Sequence, residues 1–299
     1  MCGGLKTRDV LIIGKGPAGI SSAIYCVRAG LDAQVVGRDG GALQKAPEIE
    51  NYYGFEKTVS GECLLQAGVN QAKRLGASFA DGEVFEISPI DGEAGGFFEI
   101  GADCGSFKAR AIILATGAVR FAPSIKDLES YEGRGVSYCS TCDAFFYRSK
   151  SVAVLGSGKY AQNEAKTLAR VAGGVAVLTN GKKPEAAFPD GFKIIDKKIT
   201  ALKGSERLEG VVFADGDELE LSGLFVAEGV AGSAELAKKI GAYVDGDGIA
   251  VDGSMQTSVK GLFAAGDCTG GMRQIVKAAY EGALAGTQAV KYVNENYGR

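Results

Sequence analysis

Val10-Leu11-Ile12-Ile13-Gly14-Lys15-Gly16-Pro17-Ala18-Gly19 is the stretch that decides the fold. Its run of aliphatics reads as a strand buried on both faces, and Pro17 opens a helix to Ala29 with small residues facing that strand. Between them lies a glycine loop in the strand–loop–helix setting that a dinucleotide fingerprint requires. Gly14 allows a tight turn, Gly16 lets backbone N–H groups reach a pyrophosphate, and Gly19 lets helix and strand pack closely. The helix N-terminus then favours the phosphate charge. Ala33–Val36 is the next strand and completes a βαβ unit.

The same order returns at Ser151-Val152-Ala153-Val154-Leu155-Gly156-Ser157-Gly158-Lys159-Tyr160-Ala161. Here the strand is Val152–Leu155, the helix Tyr160–Val171 and the following strand Val175–Leu178. Between the two units, Glu62–Leu75 reads as a helix. Phe97–Ile100 and Phe107–Ala109 read as a hairpin leading into a buried strand, Ala111–Leu114, that ends at Ala115-Thr116-Gly117. Shorter strands follow at Ile194–Ile195, Leu208–Phe213, Leu219–Leu221 and Leu224–Ala227. Last come Gly261–Ala265, the Gly266-Asp267 pair and a long helix over Gln274–Asn294. The expected fold is α/β: two dinucleotide-binding domains, Rossmann-like and of three-layer ββα type, the second inserted into the first. Residues 1–117 and 232–299 form one domain and 118–231 the other. The crossings near Gly117–Arg120 and Glu228–Gly232 provide a natural hinge.

A chain of 299 residues, 46% hydrophobic, can bury two cores of ordinary size. A formal net charge of −3 gives no reason to expect nucleic acid or an anionic membrane surface. No apolar stretch approaches the ~18 residues of a membrane span, and the start lacks the apolar core of a secretory signal, so a soluble, cytoplasmic protein is expected. The seven cysteines are scattered and odd in number, which suits a reducing compartment better than a disulfide scaffold. Histidine is absent, which removes Ser–His and Cys–His catalysis and, with no second CxxC pair, argues against a four-ligand zinc site. No metal is expected.

Only Cys139-Ser140-Thr141-Cys142-Asp143 has redox spacing. Two thiols separated by two residues, beside βαβ architecture in a reducing compartment, read as a reversible dithiol rather than as loop cysteines or half a metal site. An acid, Asp143, follows the second thiol directly. It reads equally as a helix N-cap ahead of Ala144-Phe145-Phe146, where both phenylalanines are most simply core.

This order of parts resembles the low-molecular-weight flavoprotein thioredoxin reductases along nearly the whole chain. The resemblance implies that the first loop holds FAD. Gly37-Arg38-Asp39-Gly40-Gly41-Ala42-Leu43 looks like the adenosine-side loop, with Gly37 where the family usually has a glutamate. Asn51, in Glu50-Asn51-Tyr52-Tyr53-Gly54, would reach the flavin, and Ala115-Thr116-Gly117 is the family's crossover. Asp267, after Gly266, would hold the ribityl chain, while Arg273-Gln274-Ile275 would bring charge and a helix N-terminus to the pyrimidine end. By the same resemblance Cys142 faces the flavin, Cys139 attacks the disulfide of a protein substrate, thioredoxin, and Asp143 protonates the departing thiolate. Cys2, Cys26, Cys63, Cys104 and Cys268 are taken as structural. A homodimer and a rotation of residues 118–231 about the hinge are also implied.

The second glycine loop departs from the family pattern. Lys159 and the bulky Tyr160 follow Gly158 where a pyrophosphate would approach the helix. Thr179-Asn180-Gly181-Lys182-Lys183 offers neither the arginines of an NADPH site nor the acid of an NADH site. The chain therefore looks closest to the ferredoxin-dependent flavin thioredoxin reductases, with reduced ferredoxin as donor. Such a carrier is usually acidic and would dock on basic residues, with Lys150, Lys159, Lys182, Lys183, Arg134 and Arg148 as candidates. Two alternatives stay open: an NADPH-fed enzyme in which Lys182 and Lys183 replace the arginines, and a dithiol oxidase that passes electrons to oxygen. A flavin-binding module without catalysis is a third.

Overall fold

The computed structural model describes residues 6–90, 96–117, 123, 125–138, 140–228, 232–246 and 248–298, without the side chains of residues 141 and 142. Cys2, Cys139, the Cys142 side chain and the crossing residues 118–120 and 229–231 thus lie outside the described residues. The chain divides into two compact units, Met1–Val119 with Gly232–Arg299, and Arg120–Ala231.

The first unit begins with β1 (Thr7–Ile13), α1 (Pro17–Arg28), β2 (Ala33–Gly37), the single turn α2 (Gly41–Gln44) and α3 (Gly61–Arg74). Then come β3 (Ser78–Asp81), β4 (Val84–Ile90), β5 (Phe97–Ala102) and β6 (Gly105–Leu114). The expected hairpin is present as β5 and β6, but its second arm and the strand after it form one unbroken element. Strands β3 and β4 are not among the expected elements; burial does not alternate along β3 and does so only partly along β4, so neither carries a clean period.

The second unit contains β7 (Val136–Ser137), the short turn α4 (Ser140–Asp143), β8 (Ser151–Leu155), α5 (Lys159–Ala169), β9 (Gly174–Leu178) and β10 (Lys193–Ile195). An antiparallel sheet follows, β11 (Ile199–Gly204), β12 (Leu208–Phe213) and β13 (Glu218–Glu220), and then β14 (Gly223–Val226). The chain finishes in the first unit with α6 (Ser233–Lys239), the two-residue strands β15 (Val244–Asp245) and β16 (Gly248–Ile249), β17 (Leu262–Ala264) and α7 (Ile275–Tyr297).

Strands β3, β2, β1, β6 and β17 run parallel in the first unit, and β5 and β4 continue from β6 as an antiparallel meander. In the second unit all five strands of the order β10-β9-β8-β14-β7 are parallel. The two parallel sheets are what the βαβ pattern required, so the α/β fold with two Rossmann-like domains is present. Each sheet has its own apolar core. Val10, Ile12, Val35, Ile113 and Phe263 anchor the first, and Ala153, Leu155, Val211, Leu224 and Val226 the second. Ends are fixed locally: Ser60 caps α3 by accepting the Cys63 N–H, worth about 1 kcal/mol, and Gly298 ends α7 in a left-handed conformation.

The two loops that follow β1 and β8 are built alike. Gly14 has φ +118° and Gly156 φ +155°. A Cβ on either would run into a backbone carbonyl at the end of the neighbouring strand, Ala115 for Gly14 and Ala227 for Gly156. Only glycine fits both the backbone angle and the approach.

Candidate functional site

In the first unit the sequence-predicted cofactor residues converge on one edge. Gly14 follows β1, Gly37 ends β2, Ala115 follows β6, and Gly266 lies just beyond β17, so all sit at the carboxyl ends of parallel strands. Sheet order reverses between β1 and β6, which is the switch point where such sheets take their ligands. Particular contacts join the segments. A Cβ on Gly266 would come 2.9 Å from that of Ala18, and one on Gly37 would come 3.0 Å from the Lys15 side chain. Asn51 donates its Nδ2–H to Gln274 Oε1 at 2.9 Å across 223 residues of sequence. Asp39 accepts the Gly41 N–H at 2.9 Å; that bond and Arg38 hold its carboxyl below the usual carboxylate range. The Leu43 side chain packs into the first unit's core.

The cradle itself is open. A Cβ on Gly16 would meet nothing within 4 Å among the described residues, and no side chain caps α1, whose first turn carries no acid. Helix α7 likewise starts at Gln274 without a side-chain cap or a first-turn acid. Helix starts without side-chain caps, with open space at Gly16, suit an anion. Behind Asp267 a buried network fixes the turn: Glu281 accepts from the Gly266 N–H at 2.8 Å and from the Thr269 hydroxyl at 2.9 Å, and pairs with Lys277 at 3.0 Å. Glu281 and Lys277 were missed in the sequence, where a Glu four residues after a Lys on a long helix reads as a surface pair. Where the chain leaves and re-enters this unit, the Ser233 hydroxyl donates to the Gly117 carbonyl at 2.6 Å and lies 2.5 Å from the Thr116 hydroxyl.

In the second unit the dithiol segment and the second glycine loop share a sheet edge. Residues 138–143 follow β7 and Gly156 follows β8, with β14 between these parallel strands. Cys142 lies in α4 by its backbone, and Cys139 is outside the described residues. Asp143 does not cap the next turn. Its Oδ2 accepts the Ser137 hydroxyl at 2.7 Å. Phe145 and Phe146 are not core either: they are 70% and 68% exposed, packed edge to face, with the Arg148 guanidinium over the Phe145 ring. The short turn Ala144–Tyr147 supplies only Ala144 to the interior, so the two rings have no buried face to join. Cys26 and Cys268 are buried, and burial pushes both thiols up to about 12. Cys63 and Cys104, expected as structural, are exposed.

The second loop is covered by its own chain. Ser157 O accepts the N–H groups of Glu185 at 2.9 Å and Ala186 at 3.0 Å, and Gln162 Nε2 donates to the Ala187 carbonyl. The Glu185 carboxylate lies 3.7 Å from the place of a Cβ on Gly158, at the start of α5. Tyr160, expected to block this loop, is instead buried and donates its hydroxyl to the Tyr138 carbonyl at 3.2 Å. Lys182 bonds to Glu228, which follows β14 and keeps its second oxygen buried without a hydrogen-bond partner among the described residues. Among the described residues no group of acids, cysteines or histidines could hold a metal, and no helix is long and apolar enough to cross a membrane.

Residues 8–282 match the family model of the pyridine nucleotide-disulphide oxidoreductases. A thioredoxin reductase of Listeria monocytogenes is 36% identical over 97% of this chain and 95% of its own length. An atypical thioredoxin reductase from Desulfovibrio vulgaris Hildenborough superposes with a TM-score of 0.87 at 39% identity, covering 98% of this chain and all of that one. A ferredoxin-flavin thioredoxin reductase from Clostridium acetobutylicum gives 0.66 at 32% identity, covering 95% and 97%. The open first cradle fits the FAD of this family, whose pyrophosphate needs free N–H groups and no Cβ at Gly16. The chain belongs to the FAD-binding pyridine nucleotide-disulphide oxidoreductases, among the thioredoxin reductase homologues.

Proposed function

We propose that this protein is an FAD-dependent disulfide reductase that delivers electrons through Cys139 and Cys142 to thioredoxin, with reduced ferredoxin as the donor. Bound FAD supplies a carrier that accepts electrons singly and passes them on as a pair to a disulfide. Gly14, Gly16, Pro17, Ala18 and Gly19 would hold its pyrophosphate. Residues 37–43 would hold the adenosine side, and Asn51, Ala115, Thr116, Gly117, Gly266, Asp267, Arg273, Gln274 and Ile275 the flavin side.

The Cys139–Cys142 disulfide takes two electrons and two protons and opens to two thiols. Cys139 Sγ then attacks a sulfur of the oxidised thioredoxin, forming a mixed disulfide and releasing one substrate thiolate. Asp143 relays the proton given up by the Cys139 thiol to the departing sulfur. Cys142 Sγ attacks the mixed disulfide, the second substrate thiol leaves, and the Cys139–Cys142 bond closes again. Ser137, whose hydroxyl donates to Asp143 Oδ2, keeps that proton-relaying carboxyl group in place.

One observation carries the choice of donor: Glu185 and Ala186 are hydrogen-bonded across the second glycine loop. A nicotinamide dinucleotide needs that loop and the start of α5 for its pyrophosphate. It would have to break both bonds to Ser157 and lie against the Glu185 carboxylate. Lys182 is held by Glu228, which takes its ammonium away from a 2′-phosphate. A ferredoxin needs no such cradle and can use the exposed Lys150, Lys159, Lys183, Arg134 and Arg148. The protein is expected to reduce thioredoxin with reduced ferredoxin and to lose that activity in Cys142→Ser. Equal turnover with NADPH would reverse the assignment of donor. Peroxide formation from a small dithiol, without thioredoxin turnover, would make it an oxidase.

A further inference from the structure

Glu164 lies on α5, 2% exposed, and its Oε2 accepts the backbone N–H of Ser140 at 2.9 Å. Ser140 is fully buried, opens α4 and stands directly after Cys139 in the sequence, two residues before Cys142. Its hydroxyl has no hydrogen-bond partner among the described residues. A buried carboxylate is costly to keep, and the mechanism above gives this one no task. N–H groups at the start of a helical turn are what ordinarily favour a thiolate in a CxxC segment. Here one of those donors is given to a carboxylate, which also adds negative charge beside the turn.

We propose that Glu164 is a positioning residue of the dithiol: its carboxylate fixes the Ser140 amide, withholds that donor from sulfur, and keeps the Cys139/Cys142 couple strongly reducing. The inference rests on reading those two cysteines as the redox pair. The chemistry is that of a two-electron couple, in which the disulfide gains two electrons and two protons to give two thiols. A protein that stabilises the reduced form of its CxxC pair becomes an oxidant. Glu164 acts in the opposite sense. Among the described residues the other titratable groups around the turn include Asp143, bonded to Ser137, Tyr138 with its acceptor Glu132, Tyr147 and Tyr160. Tyr147 is pushed up by burial and by Asp143, with Arg207 opposing.

The FAD-loaded protein and its Glu164→Gln variant would be equilibrated in glutathione buffers of graded potential, then alkylated, and the Cys139 and Cys142 thiols counted by mass spectrometry. Glutamine preserves the volume and an acceptor for Ser140 but removes the charge. The variant's equilibrium is expected to shift about tenfold toward the dithiol, equivalent to about 30 mV for a two-electron couple. Glu164→Ala, which also removes the acceptor, is expected to shift at least as far. Its kcat for thioredoxin should fall while KM holds. Wild-type potentials in both variants would overturn the inference and leave the proposed function standing. A wild-type chain in which no Cys139–Cys142 disulfide forms would overturn both.

Discussion

The Lys182 ammonium is bonded to the Glu228 carboxylate at the carboxyl edge of the second unit's parallel sheet. A lysine that could have gripped a nucleotide phosphate is instead the counter-ion of a carboxylate that is 7% exposed. Removing the lysine leaves that carboxylate buried and unpaired. Because Lys182 is itself half exposed, the cost in Lys182→Met is about 1–3 kcal/mol, below the value for a wholly buried pair. Adding Glu228→Gln should recover most of it. Urea melts of the two single variants and the double variant check this, and strict additivity would mean the pair has no energetic coupling.

Phe145 and Phe146 are large apolar rings left in solvent directly after the dithiol segment, as befits a surface that meets a protein substrate. Alanine at either position is expected to raise KM for thioredoxin about tenfold, equivalent to about 1.4 kcal/mol of binding. The melting temperature should stay unchanged. An unchanged KM with a lowered melting temperature would return these rings to a structural role.

Asp143→Asn keeps the shape of the acid and an acceptor for Ser137 but cannot deliver a proton. Positioned acids contribute about 10²–10⁴-fold, so thioredoxin turnover should fall by at least 10²-fold. The rate of flavin reduction by the donor should not change. Stopped-flow traces separate the two; a slowed flavin phase would place the effect of Asp143 elsewhere.

Gly16 and Gly14 are expected to respond differently. Gly14→Ala meets both a left-handed backbone and the Ala115 carbonyl, so it should destabilise the fold itself. Gly16→Val meets open space and should leave the FAD-free protein as stable as wild type. Its affinity for FAD, read by flavin fluorescence, should fall at least tenfold, because the side chain fills the cradle. Wild-type affinity would show that the pyrophosphate lies elsewhere.

Burial raises the folded-state pKa of Cys26 and Cys268 to about 12. Their contribution to stability is complete below about pH 9, where the unfolded thiols are still protonated, and is lost as pH rises toward about 12. Native alkylation at pH 8 should therefore label the exposed Cys63 and Cys104 and spare Cys26 and Cys268. Labelling of Cys268 at that pH would mean that the turn carrying Asp267 opens readily.

Much of this was legible in the sequence because it rests on local rules. A glycine loop between a buried strand and a helix has few conformations, so Gly14 and Gly156 fell where the pattern put them. What escaped depended on tertiary partners. Phe145 and Phe146 read as core because apolar pairs usually are, yet a short turn gave them no face to bury. Tyr160 read as an obstruction because of its bulk, but a hydrogen bond to Tyr138 turns it inward. The residues that do cover the second loop, Glu185 and Ala186, act through backbone N–H groups, which carry no sequence signal. Glu164 was invisible for the same reason: its partner is the amide of Ser140.

Electrons are expected to enter from a one-electron protein and not from a nicotinamide. An anaerobic titration of the oxidised holoprotein with NADPH, then NADH, then reduced ferredoxin tests it most directly, with flavin absorbance as the readout. The flavin is expected to keep its colour through both nucleotides and to bleach with about two equivalents of a one-electron ferredoxin per electron pair accepted. Bleaching by NADPH would contradict this and show that the segment over Ser157 gives way to a nucleotide.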